Sequence, residues 1–96
     1  MTKGQWHRIL TQLGGSSLYG MYGMRYDFPE TYLSRISIEI CTTDDRGKLP
    51  EPKLVCFEWK WVSSAEAWII TQDTPETDLT NYTKKELVDF VREKTT

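Results

Sequence analysis

Residues 53–62, Lys-Leu-Val-Cys-Phe-Glu-Trp-Lys-Trp-Val, alternate more strictly than any other stretch of this chain and carry two of its four tryptophans. A period of two sets Val55, Phe57, Trp59 and Trp61 on one side of a strand and Leu54, Cys56, Glu58 and Lys60 on the other. An indole buried under a helix removes on the order of 200 Å² from water, at ~25 cal/mol per Å². The aromatic side therefore reads as the buried one. The polar side reads as partly wet, which favours an antiparallel sheet covered on one face.

Two helices bracket this strand. Thr2-x-x-Gln5 is a capping box, followed by Trp6, Ile9, Leu10 and Leu13 along one helical face, and Gly14-Gly15 stops it, so a helix is expected over 3–13. Thr83-x-x-Glu86 is a second capping box, with Tyr82 and Leu87 placed for a hydrophobic staple and Leu87, Val88, Phe90 and Val91 as the apolar stripe of a helix over 84–94.

Between them, residues 32–42 alternate with Ile36, Ile38 and Ile40 on one face and Ser37, Glu39 and Cys41 on the other, a strand. Residues 43–52 read as a loop, with Asp-Asp-Arg-Gly and two prolines. Setting Glu39 opposite Lys60 avoids a like-charge pair with Glu58 and puts Ile40 beside Trp59. Residues 63–67 read as a turn and 68–72 as a third strand, a short helix from Ser63 being the alternative; 73–82 reads as an exposed acidic loop. Residues 16–26 keep neither period, and Gly20 and Gly23 weaken both helix and strand, so the stretch reads as irregular. The expected fold is a single α+β domain over 1–96: a two-layer αβββα arrangement, a three-stranded antiparallel sheet with both helices on its Trp59/Trp61 face.

Composition narrows the function classes. Hydrophobic residues at 39% exclude a disordered chain, and no apolar run approaches the ~20 residues of a membrane-spanning helix. The opening residues lack the pattern of a secretory signal, so a cytoplasmic protein with reduced thiols is expected. The net charge of −2 hides an asymmetry. Residues 1–25 carry Lys3, Arg8 and Arg25 and no acid, whereas residues 26–83 carry five bases and eleven acids.

No catalytic motif stands out. His7 lies beside Arg8 with no nucleophile in an activating context, and reads as a solvated surface histidine. His7, Cys41 and Cys56 lack the spacing of a zinc knuckle, and the acidic loops lack the glycine-centred spacing of a calcium site. Gly20-x-x-Gly23 is followed by no Lys-Ser or Lys-Thr, so tight packing is favoured over a phosphate cradle. No cofactor, no metal and no enzymatic activity are expected.

The αβββα order resembles the double-stranded-RNA-binding domain, with Lys84-Lys85 where that family grips phosphates. Glu86 and Asp44-Asp45 depart from its basic pattern, and an acidic chain forfeits the counterion release that drives such binding. Eight acids fall in loops: Asp27 and Glu30; Asp44, Asp45 and Glu51; Asp73, Glu76 and Asp78. Loops 43–52 and 73–78 are expected at one end of the sheet, as an anionic ridge that pairs with basic grooves built for phosphates.

In size, acidic placement and lack of motif the chain is similar to small phage-encoded anti-CRISPR proteins, including inhibitors of type I Cascade surveillance complexes. The resemblance implies a non-enzymatic inhibitor that binds a basic, nucleic-acid-binding protein surface through Asp27, Glu30, Asp44, Asp45, Asp73, Glu76 and Asp78. A CRISPR effector would be the partner, with neither membrane nor nucleic acid bound directly. The alternatives are an antitoxin or immunity protein that plugs a toxin's active site, and a nucleic-acid-binding domain.

Overall fold

The computed structural model describes residues 1–32, 34–70 and 74–96. In chain order it holds α1 (Lys3–Gln12), β1 (Ser16–Tyr19), β2 (Gly23–Asp27), β3 (Ile36–Asp44), β4 (Gly47–Glu58), β5 (Lys60–Val62), β6 (Ala67–Ile69), β7 (Glu76–Asp78) and α2 (Lys84–Thr95). Strands β1-β2-β3-β4-β7 form a five-stranded antiparallel sheet, and β5-β6 form a separate two-stranded hairpin. The expected three-stranded αβββα layout is thereby overturned.

Both helices start as their capping boxes predict. Thr2 Oγ1 accepts the Gln5 N–H at 3.2 Å while the Gln5 side chain accepts the Thr2 N–H at 2.8 Å. Thr83 and Glu86 repeat the exchange at α2, and those two bonds hold the Glu86 carboxyl below its usual pKa. Gly14, at φ +98°, takes the left-handed turn that ends α1.

The stretch read as irregular is the β1–β2 hairpin. Its glycines serve close approach: the Gly20 N–H donates to the Gly23 carbonyl at 2.7 Å, and a Cβ on Gly23 would lie 1.9 Å from the Ile40 carbonyl oxygen. The loop expected over 43–52 is a tight turn between β3 and β4, and Pro50 and Pro52 sit where β4 runs five residues against two of β3 and the ladder shifts. The segment read as an acidic loop contains β7, three residues long, paired with Val55–Phe57. The third strand expected over 68–72 corresponds to β6, which pairs with β5 in a separate hairpin, and residues 71 and 72 of that expectation lie outside the described residues.

The larger correction concerns which face is buried. Glu39 pairs with Val55 and Ile40 with Leu54, five residues from the expected register. An odd slip exchanges the two faces of a strand. Leu54 and Cys56 therefore join Ile36, Ile38, Ile40, Tyr26 and Leu79 under Trp6, Ile9 and Leu10 of α1 and Leu87 and Val91 of α2. Val55, Phe57 and Trp59 lie on the face that no helix covers. The continuous strand expected over 53–62 breaks at Trp59, where β4 gives way to β5.

Candidate protein-binding face

The helix-free face carries an ordered lattice. Register sets Leu18, Arg25, Glu39, Val55 and Asp78 in one row across the sheet, and Ser16, Asp27, Ser37, Phe57 and Glu76 in the next. Ser37 and Glu39 are buried although no helix lies above them. Their cover is local: the β1–β2 turn with Met21 and Tyr22 on one side, Trp59 and Ile70 on the other.

A polar relay fixes Trp59. Its indole N–H donates to Ser37 Oγ at 2.8 Å, and the Ser37 hydroxyl donates to Asp27 Oδ1 at 2.6 Å. Asp27 also takes a two-point contact from Arg25, Nε at 2.9 Å and Nη2 at 3.2 Å. The Arg35 guanidinium lies over the Trp59 ring at 4.4 Å, and that of Arg25 lies 5.9 Å from its centroid. Every member has a partner, so the relay holds the indole in one orientation on an otherwise open face.

Beyond Trp59 an aromatic groove of about 730 Å³ is lined by Glu30, Thr31, Tyr32, Lys60, Trp61 and Trp68. Trp61 and Trp68 face each other across the hairpin, edge to face with centroids 5.7 Å apart, and the Trp68 indole N–H donates to Glu30. Tyr32 is 95% exposed and Trp61 53%. On the other side of Trp59 a pocket of about 330 Å³ is lined by Met21, Tyr22, Arg25, Glu39, Phe57, Trp59 and Ile70. Met21, at 82% exposure, stands at its rim.

The acidic residues singled out from sequence fall into separate groups. Asp44 and Asp45 sit at the β3–β4 turn, where Asp44 accepts the Arg46 N–H and Asp45 accepts the Tyr22 hydroxyl at 2.6 Å. Glu76 and Asp78 lie on the edge strand β7, beside Phe57 and Val55. Along β3 the turn end at Thr43, paired with Lys48, lies four residues from Glu39, paired with Val55, roughly 13 Å at about 3.3 Å each, so the two groups are offset along the sheet. The Thr80 hydroxyl and N–H hold the Asp78 carboxyl below its usual pKa. Asp27 is committed to the relay, Glu30 to Trp68, and Asp73 lies outside the described residues.

Glu39, in the middle of the face, was not singled out. It is 4% exposed, and its Oε2 accepts the Tyr22 N–H at 2.7 Å. The hydrogen bond to Asp45, burial, and the nearby carboxylates of Asp45, Asp44 and Glu39 together raise the Tyr22 pKa. Cys41, next along the face, has its thiol pushed up to about 12, by burial first and by Glu39 second, which leaves no thiolate for nucleophilic work near neutrality.

The other candidates resolve into structural parts. Cys56 lies on the helix-covered face and Cys41 on the opposite one, both as free thiols. Among the described residues no three His, Cys, Asp or Glu side chains gather as a metal site. His7 is exposed yet not merely solvated, since its Nδ1 lies 2.5 Å from the hydroxyl of the buried Tyr26 and ties α1 to β2. A phosphate could not occupy the Gly20–Gly23 turn, because a Cβ on Gly20 would already lie 2.3 Å from Glu39 Oε1. Lys84 and Lys85 lie at the exposed start of α2, away from this face. Among the described residues no helix is long and apolar enough to cross a membrane. No protein-family model, curated protein or solved structure matches this chain.

Proposed function

We propose that this chain acts by binding a protein partner through the helix-free face of its sheet, seating a basic, extended segment between the Met21 rim and the Trp61–Trp68 hairpin. One observation carries the reading: exposed tryptophan, tyrosine and methionine flank a floor in which Trp59, Ser37, Asp27 and Arg25 are already paired and fixed. Trp, Tyr and Met are the side chains enriched at protein interfaces, and a preset floor lowers the ordering cost of binding. Glu39, Asp45, Glu76 and Asp78 outnumber Lys53 and Arg35 on and around the face, with Arg25 committed to Asp27, which gives it an acidic bias.

An inhibitor or adaptor that occupies a basic surface is the role this arrangement supports. A partner whose lysines and arginines hold nucleic-acid phosphates, such as a CRISPR surveillance complex, is one instance. In that case duplex DNA competes for the same surface, and salt weakens both interactions.

Photo-crosslinking amino acids placed at Met21 and Trp61, with controls on the outer faces of the helices at Gln12 and Asp89, test the assignment. Crosslinks to one partner from the first pair are expected, with Trp61→Ala weakening affinity for that partner by at least about tenfold, roughly 1.4 kcal/mol. Crosslinks from the helix positions alone would remove the reading.

A further inference from the structure

Glu39 is a buried carboxylate in the floor of the helix-free face, and among the described residues only one of its oxygens takes a donor. Among the described residues Oε2 takes the Tyr22 N–H and a weak contact from the Cys41 thiol at 3.9 Å, while Oε1 has no donor. Arg25 stands beside it in register but turns its guanidinium to Asp27. A carboxylate drawn this far out of water is stabilised by a cation and by filled lone pairs, and the described residues provide neither in full.

The space above it has a definite character. Met21, Tyr22, Phe57, Trp59 and Ile70, with Arg25 held on Asp27, wall a pocket of about 330 Å³, at the small end of ligand cavities, suited to one side chain and not to a cofactor. The carboxylates of Asp44 and Asp45 act on Tyr22, and those of Glu39 and Glu76 act on Cys41 against Lys53, so carboxylates crowd the side of the pocket formed by the β1–β2 turn.

We infer that this pocket receives an arginine side chain of the protein partner, with its guanidinium on Glu39 and its methylene stem along Met21, Phe57 and Ile70. This rests on the protein-binding reading above and narrows it to one anchor. Arginine suits the site better than lysine. Its guanidinium is weakly hydrated, forms two-point contacts with carboxylates and stacks on aromatic rings, whereas an ammonium surrenders more water on entering an apolar-walled site.

The probe is a capped pentapeptide with a single arginine between glycines, titrated into the full chain while the Tyr22 amide and Trp59 indole signals are followed by NMR. Saturable shifts at roughly millimolar peptide are expected. The citrulline peptide, matched in shape but uncharged, should give none, and that comparison needs no variant. Glu39→Gln, which keeps an acceptor for the Tyr22 N–H, should weaken the arginine peptide at least about tenfold with the melting temperature confirming an intact fold. Equal shifts with citrulline, unchanged affinity in Glu39→Gln, or no shifts with the arginine peptide would overturn the assignment. Crosslinking from Met21 and Trp61 does not depend on Glu39, so its success beside such a result would discard the arginine anchor and keep the binding face.

Discussion

Ser37 is small, fully buried and central to the helix-free face, because its one hydroxyl joins the Trp59 indole to the Asp27–Arg25 pair. Ser37→Ala leaves a half-buried indole N–H without its acceptor, at a cost of about 1–3 kcal/mol. Chemical denaturation measures that loss, and in a double-mutant cycle with Trp59→Phe most of it should disappear, since phenylalanine has no N–H to strand. A cycle that is simply additive would mean the relay does not fix the ring. The same scale explains why Glu39 escaped the sequence. Pairing rules for strands look for an opposite charge across the ladder, and Lys60 was available five residues from the true partner Val55. What Glu39 meets is a backbone N–H from Tyr22, 17 residues away, and no side-chain pattern announces a backbone donor.

Among the elements, β4 decides the architecture by its parity. Because Leu54 and Cys56 face the helices while Trp61 stands half in solvent on the β5–β6 hairpin, the two sets of residues should differ sharply in their stability cost. Leu54→Ala is expected to cost about 2–5 kcal/mol, and Trp61→Ala under ~1 kcal/mol. Urea denaturation of the two variants checks the order, and the reverse order would restore the face assignment that size of side chain suggested. The helices were legible because a capping box, an apolar stripe and a terminal glycine agree at each end of α1, and a capping box and stripe agree in α2. The central β3 was legible through Ile36, Ile38 and Ile40. The hairpin of β1 and β2 was not, since Gly20 and Gly23 look like breakers until the Ile40 carbonyl and the Glu39 carboxylate are seen to occupy the space of their missing side chains. The β7 strand is three residues long, too short for any period to show. Of the candidate site, the sequence displayed its acidity and its tryptophans, but their common face follows from the odd register shift, which was not legible.

At the scale of the whole molecule, several groups are protonated more firmly folded than unfolded. Burial pushes Cys56 up to about 12, burial and Glu39 do the same to Cys41, burial raises Tyr26, and the Glu58 hydrogen bond raises Lys94 at the end of α2. Unfolded, these groups release their protons near ordinary values, about 9 for the thiols. Their contributions are therefore intact below that range and are lost as pH climbs toward the folded values. At one unit above the unfolded value each thiol subtracts about 1.4 kcal/mol. Thermal melts from pH 7 to 11 should fall steeply above about pH 9, and Cys56→Val should flatten part of that fall; a variant that tracks the parent throughout would contradict it. The break at Trp59 has a further consequence, an optical one. Because the hairpin after it holds Trp61 and Trp68 edge to face at 5.7 Å, outside the main sheet, their indole transitions couple to each other. Closure of the hairpin thus carries its own circular-dichroism couplet, which disappears when either indole is replaced, and the molecule reports on the shape of one wall of its groove without any added label.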